Sequence, residues 1–179
     1  MREIILINIT GQDKPGLTSS LTQILARYEV AILDIGQAVI HDYLSLGILI
    51  EIPSAHASSS ILQDLLFKAH KLGIQIRFSA IDEKSYTGWA SEYGQERRII
   101  TLLGRKLTAD QLSKVTAAIA ASQLNIDVIT RLSGRIFLDD PASLRKACVQ
   151  LTVSGNLENP AKLRGSLLGI SNETGIDIS

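Results

Sequence analysis

The residues best placed to do chemistry are Asp13, Lys14, Pro15 and Gly16, within the stretch IILINITGQDKPGL from Ile4 to Leu17. An apolar run of strand character (Ile4, Ile5, Leu6, Ile7, Ile9) stops at Gly11, and a polar turn then carries Asp13. Pro15 and Gly16 are expected to open a helix whose apolar positions are Leu17, Leu21, Ile24, Leu25 and Tyr28. Proline suits a first helical turn, where its missing N–H would be unpaired anyway, and it pushes Lys14 out of helical geometry. Gly16 has no side chain to keep a ligand from the backbone. The free N–H groups of the new helix then face outward beside Asp13. Such a place suits a small zwitterion, with its carboxylate on the helix N-terminus and its ammonium on a nearby carboxylate or amide. The same residues also make an ordinary strand-to-helix turn.

Other constellations offer less. His41, His56 and His70 have no metal-ligand spacing with one another or with Cys148. Ser58-Ser59-Ser60 stands at a helix start, where capping explains it. His41-Asp42 falls at a hairpin turn, and neither a Gly-x-Ser-x-Gly nor a phosphate-loop pattern occurs. No catalytic residue, metal or cofactor is expected in this chain.

Composition bounds the setting. The length of 179 residues fits one large domain or two small ones, and 45% hydrophobic with 20% charged residues is enough for a packed core. Lys+Arg and Asp+Glu are both 18, which gives no electrostatic reason to expect nucleic acid or an anionic membrane. The apolar runs are short of a membrane span, and Met1-Arg2-Glu3 leads directly into a strand without a signal-peptide pattern. The single cysteine, Cys148, is expected as a small core residue of a soluble, cytoplasmic protein.

The elements that must position the turn follow from periodicity. The opening strand covers about Glu3–Thr10 and the first helix about Pro15–Tyr28. Ala31–Ile40 reads as a strand with Leu33, Ile35 and Val39 on one face. Tyr43–Ile52 alternates strictly, with Leu44, Leu46, Ile48, Ile50 and Ile52 together, and Pro53 stops it. A helix from about Ser58 to Leu72 ends at Gly73, and Ile74, Ile76, Phe78 and Ala80 form a last strand. The order βαββαβ predicts an antiparallel four-stranded sheet with both helices on one face, an α+β ferredoxin-like fold. Asp82–Glu96 is polar, lacks a sustained period and reads as a linker, with Trp89 and Tyr93 anchoring it.

The second half repeats the first. Arg98–Leu103 is a strand ended by Gly104, and Thr108 with Gln111 makes a capping box for a helix with Leu112, Val115 and Ile119 inward. Asn125–Leu132 is the next strand. The connection Ser133–Ser143 holds the turn signal Asp139-Asp140-Pro141, and Ala147, Val149, Leu151 and Val153 alternate after it. Leu163, Leu167 and Ile170 mark a helix, and Ile176 and Ile178 a final strand. Val30-Ala31 aligns with Leu124-Asn125. Two domains are expected, 1–81 and 97–179, joined by the linker 82–96.

The turn GQDKPGLTSSL inside a doubled βαββαβ pattern resembles the ACT domain, a small-molecule sensing module that usually binds amino acids between domains. The segments ITGQDKPGLTSSLTQIL, ILDIGQAVIHDYLSLGILIEIP, LNIDVITRLSGR and PASLRKACVQLTVSG are similar to the N-terminal tandem ACT region of long bacterial phosphoserine phosphatases. That family carries a haloacid-dehalogenase-type domain with a D-x-D-x-T/V nucleophile motif and a magnesium site. No such motif occurs here, so the resemblance implies the regulatory region of a phosphatase of serine biosynthesis, not itself an enzyme. The implied partners are serine or glycine, a second copy in a homodimer, and a C-terminal phosphatase domain, which would hold the Mg2+.

The resemblance also implies how a site would be shared. Serine-binding ACT domains use an x-x-N/D-x-P-G turn of one domain and an asparagine at the start of a neighbour's second strand. The first repeat has the turn (Gly11, Asp13, Lys14, Pro15, Gly16, Leu17) but Ala31 at the strand position. The second has Gly104-Arg105-Lys106-Leu107 in place of the turn, but Asn125 and Ile126 at the strand. One composite site is expected, with backbone N–H groups near Gly16 and Leu17 on the ligand carboxylate. Asp13 and Asn125 would take its ammonium or hydroxyl, with Leu17 and Ile126 as walls and Asp34 and Asp127 as further candidates. The reciprocal site of Gly104, Arg105 and Ala31 is expected to be weak. Two alternatives stand beside this: a stand-alone tandem ACT regulator resembling the glycine-cleavage-system repressor, and a ligand-free dimerisation module pairing through strand edges.

Overall fold

Alternation of apolar and polar residues turns the first segment into β1, Glu3–Gln12, whose Ile5, Ile7 and Ile9 are buried on one face of a sheet. The structure is a computed structural model and describes residues 3–52, 55–92, 96–134 and 147–179, with the side chains of 55–57 and 92 left aside. Pro53, Tyr93, Gly94 and the Asp139-Asp140-Pro141 turn lie outside the described residues. The chain divides into two compact units, 1–89 and 90–179.

In the first unit, β1 is followed by α1 (Leu17–Arg27), β2 (Ala31–Ile40), β3 (Tyr43–Ile52), α2 (Ala55–Leu72) and β4 (Gln75–Ile81). The strands pair antiparallel in the order β2-β3-β1-β4. Leu21, Ile24 and Leu25 of α1 and Ile61, Leu65 and Ala69 of α2 are buried with the inward residues of β1 and β3, so both helices cover one face. Tyr28 ties the two helices by donating its hydroxyl to Asp64 at 2.9 Å, and the anionic acceptor raises the phenol's pKa. Gly73 ends α2 in the left-handed region, φ 68°.

The second unit repeats the plan with β5 (Arg97–Gly104), α4 (Ala109–Ala121), β6 (Asn125–Arg131), β7 (Ala147–Ser154), α5 (Pro160–Thr174) and β8 (Asp177–Ile178), in the order β6-β7-β5-β8. Its core joins Ile100, Leu102, Leu151 and Val153 with Val115, Ile119 and Leu163. Lys114 bridges Asp110 one turn away and Glu173 on α5, and these carboxylates raise its pKa.

Several expectations shift. The stretch read as a linker contains a helix, α3 (Glu83–Glu92), started by Asp82, whose carboxylate accepts from the Ser85 N–H at 2.9 Å. A short helix held by a cap and one aromatic pair, Tyr86 with Trp89, carries no long period, which is why the pattern hid it. Cys148 is a free, half-buried thiol opposite Leu103, on the sheet face away from the helices. Its neighbours Ala147 and Val149 face the core, and strict alternation turns Cys148 the other way. Leu33 is the extra residue of a β-bulge between Ile32 and Asp34, so it does not share a face with Ile35 and Val39 by simple alternation. β1 runs two residues past Thr10, to Gln12 opposite Tyr43.

Gly11 and Gly104 hold equivalent places at the ends of β1 and β5. A Cβ on Gly11 would stand 2.8 Å from Cγ2 of Ile74, and one on Gly104 2.9 Å from Cγ2 of Ile176. Close packing therefore accounts for both glycines. Gly11→Ala is expected to destabilise the first unit by about 1–3 kcal/mol, read by urea unfolding through Trp89, the chain's one tryptophan.

Candidate functional site

The turn at the end of β1 is set by three residues. Lys14 to Leu17 form a type II β-turn: the Leu17 N–H donates to the Lys14 carbonyl at 3.2 Å, with proline second and glycine third. Gly16 has φ 83° and ψ 0°, a conformation that glycine adopts without strain. Gly16, in this conformation, is the N-cap of α1, so the helix begins at Leu17 and Pro15 precedes it. The expected start at Pro15 is corrected accordingly, because the left-handed residue cannot belong to the helix.

This geometry decides which donors remain. Leu17's amide is spent within the turn and Ser20's goes to the Gly16 carbonyl at 2.9 Å, which leaves the amides of Thr18 and Ser19 for an acceptor from outside the helix. Glycine has no side chain to cap α1. The Leu17 side chain is 3% exposed and packs with Leu21 in the core, so it is no pocket wall. Asp13, Lys14, Pro15 and Gly16 are all exposed.

The turn is pinned from two sides. The Asp13 N–H donates to the Asp42 carbonyl at 2.7 Å, continuing the β1–β3 ladder past Gln12. The Thr18 hydroxyl donates to Oε1 of Gln37 on β2 at 2.8 Å. Asp42 and His41 form the two-residue β2–β3 hairpin loop, with His41 at φ 60°. The His41 ring, hydrogen-bonded to Asp42, holds that carboxyl below its ordinary value, and Gln12 adds a weaker contact at 3.5 Å. Sequence reading missed Gln37 and Asp42; the extension of β1 opposite Tyr43 is the signal that brings Asp42 to Asp13.

The equivalent corner of the second unit is built differently. Thr108 caps α4, its hydroxyl accepting from Gln111 N–H at 3.3 Å while the Gln111 side chain accepts from Thr108 N–H at 2.9 Å. Here the helix's own cap takes the Gln111 amide, and Arg105 and Lys106 stand where the first unit has Gln12 and Asp13. Gly104 serves packing, as above, and Ala31 is an exposed strand-start residue paired with Glu51.

Asn125 and Ile126 begin β6 and, with Ser113 and Thr116 of α4, line an open groove of about 490 Å³. The Asn125 amide donates to Asp127 Oδ1 at 3.1 Å, and the Ser154 hydroxyl donates to the same oxygen at 2.8 Å. Asp127 is the bulge residue of β6, in the position of Leu33, whereas Asp34 lies one residue further along its strand. Asp34 and Asp127 are therefore not counterparts. Within the first unit the structure brings Asp13, Lys14, Pro15 and Gly16 to one corner; within the second it brings Asn125, Ile126 and Asp127 to another. Among the described residues there is no group of three or more metal-ligating side chains, and no helix is long and apolar enough to cross a membrane.

Family models described as the ACT domain match residues 3–79 and 97–179. The chain belongs to the ACT-domain family. It is 35% identical over 130 residues to the phosphoserine phosphatase SerB2 of Mycobacterium tuberculosis, covering 72% of this chain and 31% of that protein. It is 30% identical over 176 residues to the phosphoserine phosphatase of Streptomyces coelicolor, covering 98% of this chain and 39% of that protein. The tandem ACT chain thus spans about a third of the length of these relatives. A solved structure of a putative glycine cleavage system transcriptional repressor shares the fold, with a TM-score of 0.70 and 11% identity over 100% of this chain and 96% of that one.

Two outcomes follow for this ACT pair. Carboxyl-detected NMR titration is expected to find Asp42 protonating below the ordinary aspartate range and moving back toward it in His41→Ala. The lowered value means that the pair's small contribution to stability is present above the ordinary range and is lost as pH falls from that range through the lowered value. Thr108→Ala is expected to lower the stability of the second unit by about 1 kcal/mol, measured by amide hydrogen exchange in α4.

Proposed function

We infer that this tandem ACT chain is an amino-acid-sensing region of a phosphoserine phosphatase, with serine or glycine as its ligand. The observation that carries this reading is the Lys14–Leu17 type II turn. It ends in an N-cap glycine, leaves first-turn amides of α1 without a side-chain cap, and directly follows the exposed Asp13. Amides at a helix start attract a carboxylate, and a carboxylate attracts an ammonium, so the pair matches an α-amino acid. The bare backbone at Gly16 favours a small ligand. Similarity to two phosphoserine phosphatases supports the product of that enzyme, or its close chemical relative glycine, as the ligand.

The amides of Thr18 and Ser19 would hold the ligand carboxylate and Asp13 its ammonium. Asn125 and Ile126 would complete the site from the neighbouring ACT domain, and the capped start of α4 supports a weak reciprocal site at Gly104, Arg105 and Ala31. A homodimer, and a catalytic domain elsewhere in the parent enzyme that would supply the Mg2+ chemistry, belong to the same reading. A second reading, a stand-alone regulator, has in its favour only the tandem fold shared with the repressor-like structure; phosphoserine hydrolysis by the full gene product would exclude it.

Thermal unfolding against the twenty amino acids tests the sensing site. A ligand at ten times its dissociation constant adds about 1.4 kcal/mol, a rise in Tm of a few degrees. Serine or glycine is expected to give this rise in the wild-type chain and not in Asp13→Ala or Asn125→Ala. A flat panel would leave an assembly module.

A further inference from the structure

The sheet face of the first unit that α1 and α2 leave open carries a groove of about 380 Å³, whose described lining residues all belong to that unit. Its floor lies where Gly36 of β2 sits directly across the ladder from Gly47 of β3. Its opposite wall is α3, with the rings of Tyr86 and Trp89 centred 6.0 Å apart and tilted by 43°. Among the described lining residues, Asp34 alone is charged at neutral pH.

The glycine pair is not demanded by the backbone. Neither glycine has a positive φ, a Cβ on Gly36 would meet nothing within 4 Å, and one on Gly47 would meet only Oδ1 of Asn8 at 4.0 Å. Glycine inside a strand weakens it, and it often marks a place where something approaches the backbone closely. The second unit is an internal control: its counterpart of Gly36–Gly47 is Thr130 facing Gln150. The fold accepts full side chains there, so the bare floor is particular to the first unit.

Asp34 is aimed at this face by the bulge at Leu33. Were Leu33 paired in regular register, Asp34 would lie opposite Ile48 and face the helices; with Leu33 in the bulge, Asp34 pairs with Leu49 on the open face. The same bulge in the second unit brings Val128 to that register, opposite Thr152. Asp34 Oδ1 accepts from the Ile35 N–H at 2.9 Å, which holds the carboxylate in place and leaves Oδ2 to a ligand.

We propose that this groove binds a small aromatic amine. Its ring lies flat between the Gly36–Gly47 floor and the Tyr86–Trp89 wall, and its ammonium meets Asp34. A ring needs a flat floor without side chains and an aromatic neighbour, and a single carboxylate selects a cation over an anion. The volume is at the small end of ligand pockets, the size for one ring and a short amine arm. The site is separate from the Gly16 turn, since it lies on the other face of the sheet.

The test uses phenethylamine as the cationic probe and phenylacetate as its anionic counterpart. Trp89, the one tryptophan, reports binding by its emission. Phenethylamine is expected to shift that emission saturably, at least about tenfold more tightly than phenylacetate. Gly36→Thr, which imports the second unit's residue, and Gly47→Val are expected to abolish the response with Tm unchanged or raised. Asp34→Asn should erase the preference for the amine, and Asp13→Ala should leave it intact. The proposal is overturned if wild type gives no saturable response, or if Gly36→Thr and Gly47→Val respond as wild type does. It is overturned equally if the only effect of filling the groove is a change of sedimentation, which would make it a contact between copies.

Discussion

The two ACT units depend on one physical demand: the central strands must bury a single apolar face beneath two helices. Ile7 of β1 and Ile50 of β3 are fully buried, and α1 and α2 dock on the surface they share. Burial of such side chains is the dominant favourable term in folding, and alternation along a strand makes the choice of face all or nothing. Once the face is chosen, β1 can pass into α1 only at the end of the strand, on the helix side. There Ile74 approaches so closely that residue 11 must lack a side chain. The corner at Asp13–Gly16 is thus placed by packing before any ligand chemistry enters.

The same frame, used twice, carries different corners. In the second unit Ile176 presses on Gly104 as Ile74 does on Gly11, and the β6 bulge repeats that of β2. What differs are positions the core does not constrain. Thr108 caps the Gln111 amide of α4 with its own side chain, whereas Gly16 has none with which to cap α1. Asp127 takes up Asn125 and Ser154 at its bulge, where Leu33 of the first unit offers no polar group. A repeated fold with retained packing leaves such positions free to differ, and the two units differ there.

The turn is also mechanically connected. Asp13 is bonded to the β2–β3 hairpin through Asp42, and the first turn of α1 to β2 through Thr18 and Gln37. β2 is an edge strand, exposed along its length, with Ile32, Ile35 and Ile40 facing solvent in part. A ligand seated on the uncapped amides would touch a segment hydrogen-bonded to the strand edge available for pairing. Regulation would require only that the ligand favour one arrangement of that edge over another.

Most of the fold was legible because it rests on local pattern. The strict alternation of Tyr43–Ile52, the helix-ending Gly73 and the Thr108–Gln111 box each report a geometry that neighbours in sequence enforce. The sequence by itself determined two βαββαβ units, their core faces and the DKPG turn. Tertiary structure decided what the turn exposes: Gly16 lies outside α1, Leu17 belongs to the core, and Asp42, twenty-nine positions after Asp13, fixes the corner. It also decided that Glu83–Glu92 is a helix and that Asp34 faces the groove. These facts depend on a bulge, a ladder register and contacts between distant segments. Composition and period carry no record of them, because each is set by which residues meet across the sheet.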